Sequence, residues 1–462
     1  MSSLLHEQLE AYFAGRRWFA GKGRGFRVTH VHALPWLADS EPWVRIEVVT
    51  VEYDDGATDA YQFPICYLPE ADPNLAHAAL GPFEHPDLGP VVAYDAVYVK
   101  PAADLLLEGF WRQQRLDGVT FTVVEGAELP ATSTPGTVMT AEQSNTSIAY
   151  GEDAVLKLFR RVSAGFNPDI EIHEALTRHG GEHVAPLLGW IDGVWADADG
   201  SPHDGHLGML QEFLRTATDG WDIALASVRD LLVEEDLHPD EVGGDFAGEA
   251  ERLGEATAEV HADLARLFGT GTLTTDQRKR LVDAMRQRLD KALSIVPELE
   301  EHANGLRHHF DNLADLDEPI FVQRVHGDFH LGQTLRTVKG WKIIDFEGEP
   351  AKSLPERAAL DSPLRDVAGM LRSFDYAAGA TLQQFGGSEQ LRYRSTEWST
   401  RNRAAFLNGY SSGRGEDASE HQVLLRAYEA DKAVYEAVYE TRNRPGWLRI
   451  PLRALARLAP EE

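Results

Sequence analysis

The stretch Val325-His326-Gly327-Asp328-Phe329-His330-Leu331-Gly332-Gln333 is followed by Ile343-Ile344-Asp345-Phe346-Glu347-Gly348-Glu349-Pro350. An apolar run leads into a carboxylate in each, as neighbouring strands do when they present their ends to one site. Phosphoryl transfer needs that arrangement. One carboxylate orients the attacking hydroxyl and takes its proton, and a second, with an amide oxygen, holds a divalent cation against a triphosphate. Asp328 suits the first role. Gln333 and Asp345 suit the second, with Mg²⁺ as the cofactor and ATP as the co-substrate.

The interval from Asp328 to Gln333 equals that between the catalytic Asp and the metal-binding Asn of the kinase catalytic loop. Gln supplies the same carbonyl oxygen on a longer arm. A rival reading takes His326, Asp328 and His330 as alternating ligands on a strand face, with Asp345, around a transition metal. The flanking amide and the Asp-Phe-Glu triplet favour phosphoryl transfer. A buried polar hairpin without chemistry would bury carboxylates and imidazoles at a cost nothing offsets. Glu347 stands where kinases carry the Gly of Asp-Phe-Gly, in reach of a second metal or supporting the first.

An ATP site also needs a phosphate clamp. Lys157, in Val155-Leu156-Lys157-Leu158, follows the kinase strand pattern Val-Ala-Ile-Lys. Its expected partners are ATP phosphates and a helix glutamate, Glu171, with Glu174 the alternative. Upstream, Gln143-Ser144-Asn145-Thr146-Ser147 forms a small polar turn whose amides and hydroxyls could cover the phosphates. Met209 to Leu214 occupies the place of an interlobe hinge, where the backbone of Gln211, Glu212 and Phe213 would read adenine. The order of loop, Lys, Glu, Asp and Asp carries more weight than any one of these.

The chain has 462 residues and a formal net charge of −30, from 44 basic and 74 acidic side chains. Nucleic-acid binding needs excess Lys and Arg to displace counterions, so that class is excluded. The single cysteine, Cys66, rules out an intramolecular disulfide and any multi-cysteine metal site. No run approaches the ~20 apolar residues of a membrane helix, and Met1 to Glu10 carries no basic start followed by a long apolar run. A soluble cytoplasmic protein without membrane contact is the expectation.

The expected fold class is α+β: an N-terminal cap subdomain over residues 1–92, a β-rich nucleotide-binding subdomain over 93–214 and a helical catalytic and sugar-binding lobe over 215–462. Leu4 to Ala14 has helical spacing. Val44 to Tyr53 alternates like a half-buried strand, and Asp54-Asp55-Gly56 turns it into Ala60 to Tyr67 as a hairpin. Arg16-Arg17-Trp18-Phe19-Ala20-Gly21-Lys22-Gly23-Arg24 is basic and Gly-rich in an acidic chain. Lacking a strand–helix context, it reads as structural ahead of phosphate-contacting. Pro130 to Pro135 reads as a loop. A strand runs through Val138, another covers Ala154 to Phe159, and a helix begins at Asn167 with Pro168 in its first turn. Glu234 to Asp245 is an acidic, solvated loop. Helices follow over Glu249–Phe268, Thr275–Ile295, Asp361–Ala377 and His421–Arg442, interrupted by the strand-rich island Pro319 to Phe346.

These motifs together resemble the aminoglycoside phosphotransferase, kinase-like superfamily and, within it, the bacterial maltokinase family. The matching stretches are Arg17-Trp18-Phe19-Ala20-Gly21-Lys22, Glu142 to Ser147, Leu156 to Arg161, Asn167-Pro168-Asp169 and His326-Gly327-Asp328. The narrowest are Asp345 to Pro350, Ser362 to Arg372 and Tyr439-Glu440-Thr441-Arg442-Asn443-Arg444-Pro445. Phe329 departs from the more usual Leu, which touches packing more than chemistry. The resemblance implies a bilobal protein-kinase-like fold and phosphorylation of maltose at its anomeric hydroxyl. The product, maltose 1-phosphate, would feed α-glucan synthesis, with trehalose synthase as a pathway partner.

A neutral sugar calls for aromatic faces and hydrogen bonds. Lys432, Tyr435, Glu436 and Tyr439 share one helical face at the spacing that brings side chains together, and with His330 they are the candidate sugar contacts. Trp447 would stack on a sugar ring or pin the C-terminal segment. Asp366, in the kinase-like architecture, would be a buried anchor for the backbone around His326 and Gly327. The alternatives are a kinase for another sugar such as glucosamine, which needs a carboxylate at the amine, and a nucleotide-binding pseudokinase module. Intact Lys157, Asp328 and Asp345 argue against the latter.

Overall fold

The computed structural model describes residues 3–38, 40–139, 145–234, 236–349, 352–415 and 418–459. The chain divides into two compact units, residues 1–177 with 185–215 and residues 178–184 with 216–462. The α+β reading holds, with the first unit β-rich and the second mainly helical.

Two antiparallel sheets carry the first unit. In one, Phe26–Trp36, Trp43–Tyr53 and Thr58–Leu68 form a meander extended by Gly89–Asp95 and Ala79–His85. The expected hairpin is present, with Val51 opposite Asp59 and Thr50 opposite Ala60. Its first strand is covered on both faces, not one. Val44, Ile46 and Val48 enter a core with Leu106 and Phe110 of the helix Lys100–Trp111. Val49, Val51 and Tyr53 enter another with Leu5, Leu9 and Phe13 of the helix Ser3–Ala14. Successive strand residues point to opposite faces, so a run of Val serves both cores. Glu47, fully buried among them, pairs with Arg45 at 2.6 Å.

The second sheet runs, in spatial order, Arg115–Leu116, Val119–Val123, Leu187–Ala196, Pro202–Glu212, Ala154–Leu158, Thr146–Tyr150 and Gly136–Val138. Ile148, Leu156, Leu158 and Leu210 join the core that already holds Val44 and Cys66. Residues on either side of position 92 therefore share one apolar interior. Pro168 opens the helix Pro168–His179, where its missing N–H costs nothing.

Helices dominate the second unit. Ala247–Phe268 packs along Glu389–Arg414, and Leu364–Phe385 packs against Gln422–Asn443. The helix expected over Thr275–Ile295 ends at Leu293, and that expected over Asp361–Ala377 starts after Pro363 and continues to Phe385. Glu389–Arg414 was not anticipated. Its inward face mixes Leu391, Trp398 and Phe406 with buried Arg394, Ser395, Ser399 and Asn402, so its hydrophobic period is weak.

The two apolar runs of the island are not paired with each other. Phe321–Gln323 pairs with Thr270–Thr272, while Gly340–Ile343 pairs with Thr334–Thr337. Residues 324–330 are a loop between these ladders. No described helix is long and apolar enough to cross a membrane.

Candidate active site

In the second unit, three positions on the helix Leu364–Phe385 receive the loop that carries Asp328. Asp366, Gly369 and Ser373 are spaced to share one face. The Asp366 carboxylate accepts the His326 N–H at 2.7 Å and the Gly327 N–H at 2.9 Å. Ser373 Oγ accepts the Leu331 N–H at 3.0 Å. Gly369 admits the loop between them, since a Cβ there would meet the Phe329 carbonyl oxygen at 2.5 Å. Buried amides need partners, and this face supplies them. His261 Nε2 lies 3.1 Å from Asp366 Oδ2. Burial works to raise the Asp366 carboxyl, yet the His261 ring and the Gly327 amide hold it below the ordinary value. Gly369 and Ser373 were missed from the sequence, where they read as ordinary helix residues.

His326 crosses to the second acidic stretch. Its Nε2 donates to the Ile344 carbonyl at 2.9 Å, and the Ile344 N–H donates to the Gln333 carbonyl at 3.0 Å. The chain then turns at Asp345, which adopts φ +67°. A non-glycine residue in that region is uncommon and marks a position that the surroundings hold. Gln333 Nε2 donates to Asp345 Oδ2 at 3.2 Å, so the two expected cation ligands are adjacent. Carboxylate and amide oxygens suit a hard cation. Binding one would turn the Gln333 oxygen, not its nitrogen, toward Asp345. A Glu347 carboxylate oxygen lies within 4.8 Å of one of Asp345. The transition-metal alternative fails here. His326 spends Nε2 on a carbonyl, His330 Nδ1 accepts the Gly332 N–H at 3.1 Å, and the segment is a loop without strand alternation.

Asp328 is part-exposed and faces Lys432 Nζ at 3.2 Å from Oδ1. Burial pushes its carboxyl up, but the Lys432 ammonium and, less strongly, His330 bring it below the ordinary carboxylate value. Burial pushes the His330 ring down despite Asp328, which favours its neutral form. Along the helix Gln422–Asn443, Tyr435 and Tyr439 stack with ring centroids 6.5 Å apart at 24°. They are 37% and 44% exposed, with Lys432 Nζ 5.7 Å from the Tyr435 ring centre and the Arg444 guanidinium 5.5 Å from that of Tyr439. Glu436, expected on that face, turns inward to Arg372 at 2.7 Å. The other acids nearby are matched as well: Asp431 to Arg288 at 2.7 Å, Glu440 to Arg444 at 2.7 Å and Glu349 to Arg365 at 3.0 Å. Trp447 packs against Arg444, 4.4 Å from its guanidinium, and Tyr376.

In the first unit, Lys157 projects from the strand Ala154–Leu158. Its Nζ lies 3.3 Å from Asp169 Oδ2, in the first turn of the helix Pro168–His179. Asp169 was noted in sequence only as part of a motif. Glu171 sits in that same turn. Ser147 pairs with Lys157 across the sheet and so shares its face, whereas Thr146 pairs with Leu158 and faces the other way. The Thr146 hydroxyl accepts from Arg160 Nε at 2.8 Å. Alternation thus removes the Thr146 side chain from the group expected over the phosphates. Asn145 precedes the strand, and Gln143 and Ser144 lie outside the described residues. At the expected hinge, the Glu212 N–H donates to the Pro186 carbonyl and the Phe213 N–H to the Asp153 carbonyl, each at 2.9 Å. Gln211 sits in the ladder opposite Val155 and Leu187. Those amides are committed to the protein itself.

A maltokinase N-terminal cap domain model matches residues 12–98, and a phosphotransferase enzyme family model matches residues 143–420. Glucosamine kinase of Streptacidiphilus jiangxiensis is 29% identical over 348 residues, covering 72% of this chain and 75% of that one. Glucosamine kinase of Mycolicibacterium smegmatis is 27% identical over 332 residues, covering 70% and 79%. Among solved structures, a glucosamine kinase in complex with glucosamine, ADP and inorganic phosphate superposes with a TM-score of 0.68 at 23% identity, covering 97% of this chain and 99% of that one. A second crystal form of glucosamine kinase gives 0.69 at 23% identity, covering 95% and 94%. At that identity the likeness speaks for the fold, which is kinase-like.

Proposed function

Because this chain belongs to the phosphotransferase enzyme family, we propose that it transfers the γ-phosphoryl group of ATP to the anomeric hydroxyl of maltose, giving maltose 1-phosphate. Asp328 orients the hydroxyl and takes its proton, and its lowered pKa keeps it ionised at neutral pH. Lys432 holds that carboxylate in place. Lys157 holds nucleotide phosphates. Gln333 and Asp345 would hold Mg²⁺, which when bound stabilises charge on the transferring group. The division into a cap over 1–92, a nucleotide subdomain over 93–214 and a catalytic lobe over 215–462 belongs to the same reading. So does a place between trehalose synthase, which would supply maltose, and α-glucan synthesis.

One observation carries the choice of sugar. The part-exposed Tyr435–Tyr439 pair lies on the helix that sends Lys432 to Asp328, and the acids around it already meet arginines. Part-exposed aromatic rings offer apolar surface to a neutral sugar longer than one ring. An amino sugar would need an unmatched carboxylate. Glucosamine is the second reading, favoured by the names of the curated relatives. The test is product analysis by ³¹P NMR and mass spectrometry after incubation with ATP, Mg²⁺ and maltose, glucosamine or glucose. Maltose 1-phosphate as the preferred product is the expected result. Preferred turnover of glucosamine would overturn the choice of sugar. Turnover of no sugar, with ATP bound, would overturn the enzymatic reading.

A further inference from the structure

The helix Leu364–Phe385, whose Asp366, Gly369 and Ser373 receive the Asp328 loop, also carries a buried arginine that the chemistry above does not use. Arg372 is fully buried, and its guanidinium is divided between two carboxylates. Nη1 donates to Asp375 Oδ2 at 2.6 Å, while Nε and Nη2 both donate to Glu436 Oε2, at 3.0 and 2.7 Å. Asp375 is held in turn by Arg403 at 3.3 Å, by Arg457 at 2.7 Å and by the Ser399 hydroxyl. Arg403 spans to the Glu429 carboxylate at 2.8 Å and to the Leu371 carbonyl at 3.1 Å. The Arg372 fork is therefore fixed on both sides, and its planar shape is what lets one side chain serve both.

Glu436 is the point at which this network meets the site. It lies four residues after Lys432 on the helix Gln422–Asn443, and side chains four apart on a helix are neighbours. An ammonium and a carboxylate so placed can pair with each other. Here they do not. Glu436 is turned to Arg372, and the ion pair that Lys432 makes among the described residues is with Asp328, at 3.2 Å. The two still act on each other, since Glu436 favours the charged form of Lys432 and Lys432 that of Glu436. The other groups near Lys432 are Glu349, His330 and Tyr435. Asp328 also faces His330 and His326, and Glu436 faces Asp375 and Tyr376.

We propose that Arg372 is a positioning residue: by engaging Glu436 it leaves Lys432 to Asp328. One helix then fixes both halves of that contact, the Asp328 loop through Asp366 and Ser373 and the lysine through Arg372. Without the arginine, Glu436 competes for the ammonium. Asp328 then loses the charge that does most to offset its burial, and its carboxyl rises. The inference rests on the reading of Asp328 as the acceptor of the hydroxyl proton.

The experiment compares wild type, Arg372→Met and Arg372→Met combined with Glu436→Gln. It follows kcat/KM against pH for the sugar that product analysis identifies, and a crystal structure of each. Arg372→Met should lower kcat about ten- to hundredfold, as misplacement does in a positioned reaction, with KM for ATP within about twofold. Its acidic limb should move to higher pH, and its structure should show Lys432 turned from Asp328 to Glu436. Glu436→Gln removes the competing charge, so the double variant should recover the wild-type limb and the Lys432–Asp328 contact. If loss of the buried cation prevents folding, Arg372→Lys keeps a charge beside Asp375 without the fork and should move the limb the same way by less. Three results would overturn the proposal: an acidic limb that stays in place while the melting temperature falls, Lys432 still on Asp328 in whichever arginine variant folds, or a double variant no better than the single one. Lys432 displaced in the variant while wild type turns over no sugar would refute the proposed reaction and uphold the positioning.

Discussion

Replacing Asp366 by Ala removes one carboxylate and strands several groups at once. The side chain is 2% exposed and accepts the His326 and Gly327 amides at 2.7 and 2.9 Å, with His261 Nε2 at 3.1 Å. A buried donor left without a partner costs about 1–3 kcal/mol. The two amides then account for roughly 2–5 kcal/mol, allowing for partial relaxation of the loop. In a unit of this size each kcal/mol shifts the melting temperature by about 2–4 °C, so the expected fall is roughly 4–20 °C. Asp366→Asn keeps one acceptor oxygen and should fall in between. The pH dependence gives a second handle. The folded carboxyl lies below its ordinary value, so its contribution is complete above the unfolded pKa and is lost as pH falls through the folded one. The gap between wild type and Asp366→Ala should therefore narrow in acid. Scanning calorimetry from neutral to acidic pH measures this, with kcat followed alongside, since a loosened loop misplaces Asp328. A melting temperature within about 1 °C of wild type at neutral pH, corresponding to less than ~0.5 kcal/mol, would refute the anchoring argument.

Asp328→Asn should lower kcat by about 10²–10⁴-fold, the usual worth of a general base. ATP affinity measured by titration should stay within about twofold, because the residue is assigned to the hydroxyl. In wild type, the acidic limb of kcat/KM should lie below the ordinary carboxylate value, since Lys432, His330 and His326 together outweigh burial at Asp328. Lys432→Met removes the strongest opposition to burial and should move that limb to higher pH; a limb that stays in place removes Lys432 from that role. Tyr439→Ala should raise KM for maltose roughly three- to tenfold, from about 0.5–1.5 kcal/mol of lost stacking, with KM for ATP unchanged. An equal rise in both constants would point to a general structural effect.

What could be read from the linear chain was whatever depends on local order and residue chemistry. Gln333 and Asp345, expected from their types and spacing as an oxygen-donor pair, do come together at 3.2 Å, and Asp328 stands in the same loop. Lys157 declares itself because a lysine among strand hydrophobes needs an anion. The hairpin over Val44 to Tyr67 and the helix opened by Pro168 follow from turn chemistry and a missing N–H. Tertiary structure decided what depends on distant partners. The docking of a helix turn brings Asp169 to 3.3 Å from Lys157. Thr146 is turned from Ser147's face by strand register, which four neighbouring small polar residues do not disclose. Glu436 leaves the row of Lys432, Tyr435 and Tyr439 because Arg372, 64 positions away, draws it inward. Glu389–Arg414 hides its period because its buried face is partly polar, satisfied by groups that are remote in sequence. Gly369 and Ser373 look ordinary until the loop that crosses them is in place. Only a folded chain brings Phe329 and Leu331 against that face, and with them the geometry that steadies Asp328.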